Sequence, residues 1–293
     1  MRKTFLNLCL QRCPALTATV FKQGILPGSS VPIVSPHIAS ITMNYTKLFA
    51  FAAICCFSFC ITNSTSAQEQ GTKKIRVLFT YGGHDFQEKE MYQMLDSYTD
   101  ITYVKAEMPK ALDMFKPGLE KEYDCLVMYD FYTFPYTKEQ MENYKKLLET
   151  GIGVVVLHHC VGGFNGTDDY AKMIGGQYIT AEKAEIEGKT YPMSTWLHDQ
   201  TMKVKVADKN HPIMKGIDDY TIVDEAYHGV YVSPKAHVLI TTDYPKSTEQ
   251  LAWTWKYGKS KIFATLLGHD KLAYENPNYR NMVHQAIRWV IEK

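Results

Sequence analysis

"TKEQMENYKKLLETGIGVVVLHH", residues 137–159, decides the fold. Met141, Tyr144, Leu147 and Leu148 recur at intervals of three and four, so the first part reads as a helix with one apolar face. Thr137 and Gln140 have the spacing of a capping box, and Gly151 supplies the left-handed stop. The run that follows, 153–159, is apolar at every position until its two histidines. Such a run suits a strand covered on both faces, as in a parallel sheet.

The same alternation precedes it. "KIRVLFTY" (74–81) reads as a strand, and "QEKEMYQMLDSY" (87–98) as a helix with Met91, Met94, Leu95 and Tyr98 on one face. "DITYVKAE" (100–107) and "DCLVMYD" (124–130) are two further strands. Strand, helix and strand repeated in this way predict an α/β fold with a doubly wound, mostly parallel sheet flanked by helices. The second half predicts a β-rich extension: "TMKVKVAD" (201–208), "AHVLITTD" (236–243), "QLAWTWKYG" (250–258) and "SKIFATLLG" (260–268), with a hairpin in its middle pair. A closing helix, 278–293, places Tyr279, Met282, Val283, Ala286, Ile287 and Val290 together. No internal repeat is visible, so residues 68–293 read as a single domain.

The sequence before residue 68 has a different character. "MNYTKLFAFAAICCFSFCITNSTSA" (43–67) has one lysine, an apolar run from Leu48 to Ile61, and small residues at Thr65 and Ala67. This is the pattern of an export signal cleaved after Ala67, and the run is shorter than the roughly 20 residues a membrane span needs. The expected location is therefore periplasmic or secreted, with membrane contact only through that signal. Residues 1–42 contain no acidic residue and no periodicity, and read as an upstream extension from a misassigned start. From 68 onward there are 27 basic and 31 acidic residues, a formal net charge of −4, with no basic stripe to suit nucleic acid. Only Cys125 and Cys160 of the seven cysteines remain there, too few for a disulfide framework.

In an open α/β sheet, ligands bind beyond the carboxyl ends of the strands. This sequence places histidine there three times: His84 and Asp85 after Gly82 and Gly83, His158 and His159 after the strand at 153, and His269 and Asp270 after Gly268. The glycines allow sharp turns and close approach of a ligand. Imidazoles and carboxylates from separate strands suit either a divalent metal or a metal-free acid–base set. "IVDEAYHGVY" (222–231) adds adjacent carboxylates, of which alternation lets only one face the site, and Glu225 is the choice. "STWLHDQ" offers His198 and Asp199 before a strand, whereas His211 reads as structural and His228, His237 and His284 carry no functional weight. Cys160 stands where a nucleophile elbow would hold it, but no His-x-Glu pair follows, so filling of a turn is the better reading. "TYGGHDF" lacks the G-x-G-x-x-G spacing of a dinucleotide site, so no nicotinamide cofactor is expected.

"YGGHDF", "GVVVLHHCVGGF", "YAKMIGGQY", "VKVADKNHPIMKGIDDYTIVDEAY" and "AWTWKYGKSKIFATLLGHD", in this order, resemble the ThuA-like (trehalose utilisation) family over residues 74–291. The resemblance implies a class I glutamine amidotransferase-like, flavodoxin-like fold without that superfamily's catalytic triad. It also implies a place in carbohydrate metabolism, with 3-keto glycosides as a substrate class. The family's recurrent polar positions fall on His84, Asp85, His158, Glu225, His269 and Asp270.

The expected function is an exported hydrolase or lyase acting on an oxidised glycoside. In it His84, His158 and His269 bind a divalent metal (Zn or Mn) or polarise the ketone, and Glu225 or Asp85 takes a proton. Asp270 orients its neighbouring histidine, and His159, Tyr81, Phe86 and Tyr227 contact the sugar, with Trp253 or Trp255 as further stacking partners. The alternatives are a non-catalytic carbohydrate-binding or accessory protein, and a cysteine-dependent amidase using Cys160. The oligomeric state is open.

Overall fold

The computed structural model describes residues 73–292, so the expected export signal and the expected upstream extension lie outside the described residues. The chain runs β1 (Ile75–Tyr81), α1 (Glu88–Asp96), β2 (Ile101–Glu107), α2 (Leu119–Glu122), β3 (Cys125–Met128), α3 (Lys138–Thr150), β4 (Gly153–Leu157) and α4 (Asp168–Ile174). It continues with β5 (Gly176–Gln177), β6 (Lys183–Ile186), β7 (Lys189–Pro192), β8 (Thr195–Val206), β9 (Tyr220–His228), β10 (Tyr231–Val232) and β11 (His237–Thr242). Last come β12 (Gln250–Tyr257), β13 (Ser260–Thr265), α5 (Lys271–Tyr274) and α6 (Pro277–Val290).

A nine-stranded sheet runs in the order β2-β1-β3-β4-β13-β12-β11-β8-β9. From β2 to β13 all neighbours are parallel, and from β13 onward all are antiparallel. The expected doubly wound sheet and β-rich extension are thus halves of one sheet, joined at β13. Both faces of the parallel half are covered. Val77, Phe79, Val155 and Leu157 pack toward α1 and α6, while Leu78, Leu126, Val154 and Val156 pack toward α3 and α4. That explains why β4 is apolar throughout and buried at all five positions. The capping box of α3 forms as expected, Gln140 N–H donating to Thr137 Oγ1 (3.1 Å) and Thr137 N–H to Gln140 Oε1 (2.8 Å). Among the described residues no helix is long and apolar enough to cross a membrane.

Three details differ from expectation. Strand β4 ends at Leu157, and His158 and His159 open a 3-10 turn instead of continuing the strand. Strand β8 begins at Thr195, so His198 and Asp199 lie inside it, and its first half pairs with β9 alone (Thr195 opposite His228). That half is exposed at 195–199, so it shows no period-2 burial for a sequence reading to detect. The two-residue β5 and β10 and the four-residue β6–β7 hairpin also escape such a reading, being shorter than any periodic signal.

Candidate functional site

Strands β4 and β13 are parallel neighbours, so the segments leaving their carboxyl ends emerge side by side. One carries His158 and His159, and the other carries Gly268 and His269. His158 is fully buried with φ +47°, in the left-handed region that costs a non-glycine residue about 1 kcal/mol or more. Its ring is fixed on three sides. Nδ1 lies 2.6 Å from the Leu266 carbonyl, which can only accept, so Nδ1 carries the proton. Tyr227 stacks on the ring at 4.6 Å, and its hydroxyl lies 2.9 Å from Nε2. When charged, His158 donates its Nε2–H to Glu225 Oε2 (3.2 Å), and when neutral its Nε2 lone pair faces the point where that oxygen and His269 Nδ1 (3.3 Å) converge.

Glu225 comes from β9, in the antiparallel half, and is 5% exposed. Its Oε2 faces His158 and His269 (3.5 Å), and its Oε1 faces His198 Nδ1 (2.9 Å). Burial acts to raise this carboxyl. The His158 hydrogen bond and the charges of His158, His269 and His198 outweigh it and hold the group below its ordinary 4.5. Burial, then His158, press His269 down to about 4, against the pull of Glu225. Burial presses His159 well below its ordinary 6.5, with the neighbouring imidazoles adding to it.

His158, His159, Glu225 and His269 each bring one ligand atom to within 4.8 Å of the others. Three imidazole nitrogens and a carboxylate oxygen suit zinc or another first-row divalent ion. His159 provides the test of fit. It is 6% exposed, and among the described residues neither ring nitrogen has a hydrogen-bond partner. A buried imidazole left in that state is costly unless a ligand completes it.

The structure regroups the residues singled out from the sequence. It joins His158, Glu225 and His269, adds His159 as a fourth candidate ligand, and sets His84 outside them. The His84 ring stacks on His159 at 4.0 Å, and its Nδ1 is bound by the Asp85 carbonyl at 2.6 Å. His84 and Asp85 are exposed and line an open cleft of about 700 Å³ with Tyr81, Phe86 and Glu107. Tyr81 and Phe86 also pack on the core, Phe86 edge-on to Tyr129 at 5.2 Å. Tyr227 touches His158 from below and is buried.

Asp270 does not orient its neighbour through a hydrogen bond. Its Oδ1 accepts the Leu272 N–H as the N-cap of α5, a role that an aspartate just before "KLAY" could have suggested. Asp224 holds that loop instead. Its Oδ2 accepts the Gly268 N–H (2.7 Å), and its Oδ1 accepts those of His269 (2.9 Å) and Glu225 (2.8 Å). Gly268 sits at φ +117°, where an added Cβ would fall 2.2 Å from Tyr279 Oη, so the turn requires glycine.

Trp253 is fully buried and donates to the Ile174 carbonyl, and Trp255 donates to that of Lys172. Both indoles fix α4 against β12 and do not face the site. Cys160 is sealed as well: burial pushes its thiol well up, and Tyr170 Oη lies 3.3 Å from Sγ. That leaves no accessible thiolate for an amidase.

The family model described as ThuA, trehalose utilisation, matches residues 76–290. A ThuA-like protein from Parabacteroides merdae superposes with TM-score 0.62 at 18% identity, covering 75% of this chain and 90% of its own. One from Bacteroides uniformis gives 0.54 at 17%, covering 77% and 94%. A β-galactosidase from Rahnella gives 0.50 at 12%, covering 74% of this chain and 31% of its own. No curated protein sequence matches. The fold is glutamine amidotransferase-like.

Proposed function

This chain belongs to the ThuA family, whose description is trehalose utilisation, and on that premise we propose that it is a metal-dependent enzyme that cleaves an oxidised, 3-keto glycoside. The observation that carries this reading is the convergence of His158, His159, Glu225 and His269 within 4.8 Å. A divalent cation held there supplies a Lewis acid for a ketone oxygen. The signal at 43–67 supports action in the periplasm or outside the cell.

A ketone at C3 acidifies the hydrogen on C2 and places the C1 glycosidic oxygen β to the carbonyl. Removal of the C2 proton therefore expels that oxygen, leaving a C1–C2 double bond that water can later saturate. Two histidines at the rim of the cluster suit the proton movements. With Nδ1–H donated to the Asp85 carbonyl, neutral His84 keeps Nε2 as an acceptor for the C2 proton. His198, 48% exposed and bonded to Glu225 through Nδ1, gives a proton to the leaving oxygen from Nε2 when charged. Asp224 keeps His269 in place through the backbone, and Tyr227 with Leu266 keeps the His158 ring in place.

The test is turnover of 3-ketotrehalose by the purified protein, stripped with chelator and then restored with zinc or manganese. Activity that disappears and returns supports the reading, with His84→Asn lowering kcat by roughly 10²-fold or more. Unchanged activity after complete stripping would overturn the metal's role. Binding without turnover would favour the accessory-protein alternative.

A further inference from the structure

Trp196 is 54% exposed, unusual for so large an apolar side chain, and Leu197 and Met193 beside it are 39% and 53% exposed. Its position is defined by the β8–β9 ribbon. Trp196 pairs with Tyr227, two residues from Glu225 on β9, and at the register shift that follows Leu197 His198 still meets Glu225, at 2.9 Å. Trp196, His198, Glu225 and Tyr227 therefore lie on one face, and the contacts of Glu225 and Tyr227 with His158 identify it as the face turned to the site. The rings continue the line: Trp196 to His198 is 4.5 Å between centroids, and His198 to His269 is 4.8 Å.

We propose that Trp196 is the stacking platform for the second pyranose ring of the substrate, the one that leaves, and so sets a preference for disaccharides over simple glycosides. This rests on the proposed glycoside-cleaving reading of the same histidine cluster. A ring whose ketone lies over the imidazoles of His158 and His269 leaves Trp196, two ring contacts away, to its neighbour. The C–H face of a pyranose is apolar and flat, matching an exposed indole, while its hydroxyls stay in water. His198 then lies between the two rings, at the bond to be broken.

Binding measured by calorimetry tests this, with 3-ketotrehalose and methyl 3-keto-α-glucoside as probes. Trp196→Ala weakens binding of the disaccharide roughly tenfold and that of the methyl glycoside less than about twofold, and Trp196→Phe restores most of the difference. Metal content and thermal midpoint stay unchanged in both variants. Equal affinity of wild type and Trp196→Ala for the disaccharide overturns the platform while leaving the proposed function intact. Failure of the wild type to bind either probe overturns that reading and the platform with it. A change of assembly state in Trp196→Ala, seen by sedimentation with affinity unaltered, assigns the exposed patch to a second copy and also overturns the proposal.

Discussion

Asp224 and His159 are both buried polar residues of one site, and they differ in what they lack. Both Asp224 oxygens are engaged, by the backbone N–H groups of Gly268, His269 and Glu225. Among the described residues, neither nitrogen of His159 has a hydrogen-bond partner. A satisfied buried group contributes to the fold, and an unsatisfied one costs free energy unless something outside the chain completes it. Asp224 is thus complete in the protein as it stands, whereas His159 asks for a ligand.

The largest effect expected from this contrast is on Asp224. Asp224→Ala leaves three N–H groups without acceptors, two of them buried, and we expect it to destabilise the protein by about 3 kcal/mol or more, read as a lower denaturation midpoint. A loss under about 1 kcal/mol would mean that the 268–269 turn holds itself. His159→Leu has the opposite profile. Thermal stability without metal holds or rises, because an unpaired polar ring is replaced by an apolar one, while affinity for zinc or manganese falls by roughly 100-fold or more. Retained affinity would remove His159 from the ligand set.

A pH titration sharpens the same comparison. His269 is held at about 4 and His159 well below 6.5 in the folded chain, whereas in the unfolded chain both protonate near 6.5. At these two positions the unfolded state binds more protons between those values, so they cost the metal-free protein stability as pH falls from about 6.5 to 4, against Asp130, which burial raises to about 6 and which acts with the opposite sign over that range. Glu225, held below 4.5, adds a further loss beneath that pH. The slope between 6.5 and 4 should diminish in His269→Gln, and an unchanged slope would assign it to other groups. The smallest effect belongs to Cys160→Ala, with a stability loss of about 1 kcal/mol and no loss of turnover.

Much of this was legible in the sequence because it is local. The α3 cap, the apolar face of α6 and the histidines after β1, β4 and β13 follow from spacing within a few residues. The choice of Glu225 over Asp224 also rested on alternation along one strand, and the structure places Glu225 among the imidazoles. What escaped depends on contacts distant in the chain. His198 has no assigned role in the sequence reading, and its place beside Glu225, like that of Trp196 next to it, follows only from the register of β8 against β9. The exchange of His84 for His159 depends on one ring stacking over another. Asp224 looked like the unused half of a pair because its partners, Gly268 and His269, lie more than forty residues downstream.

The most direct test of the proposed metal centre is a zinc or manganese titration of the chelator-stripped protein, followed by calorimetry, with wild type, His159→Leu, His269→Gln and His84→Ala in parallel. The account predicts one metal site per chain in the wild type and in His84→Ala, and severe weakening in His159→Leu and His269→Gln. No saturable binding in the wild type, or equal loss in His84→Ala, would contradict it.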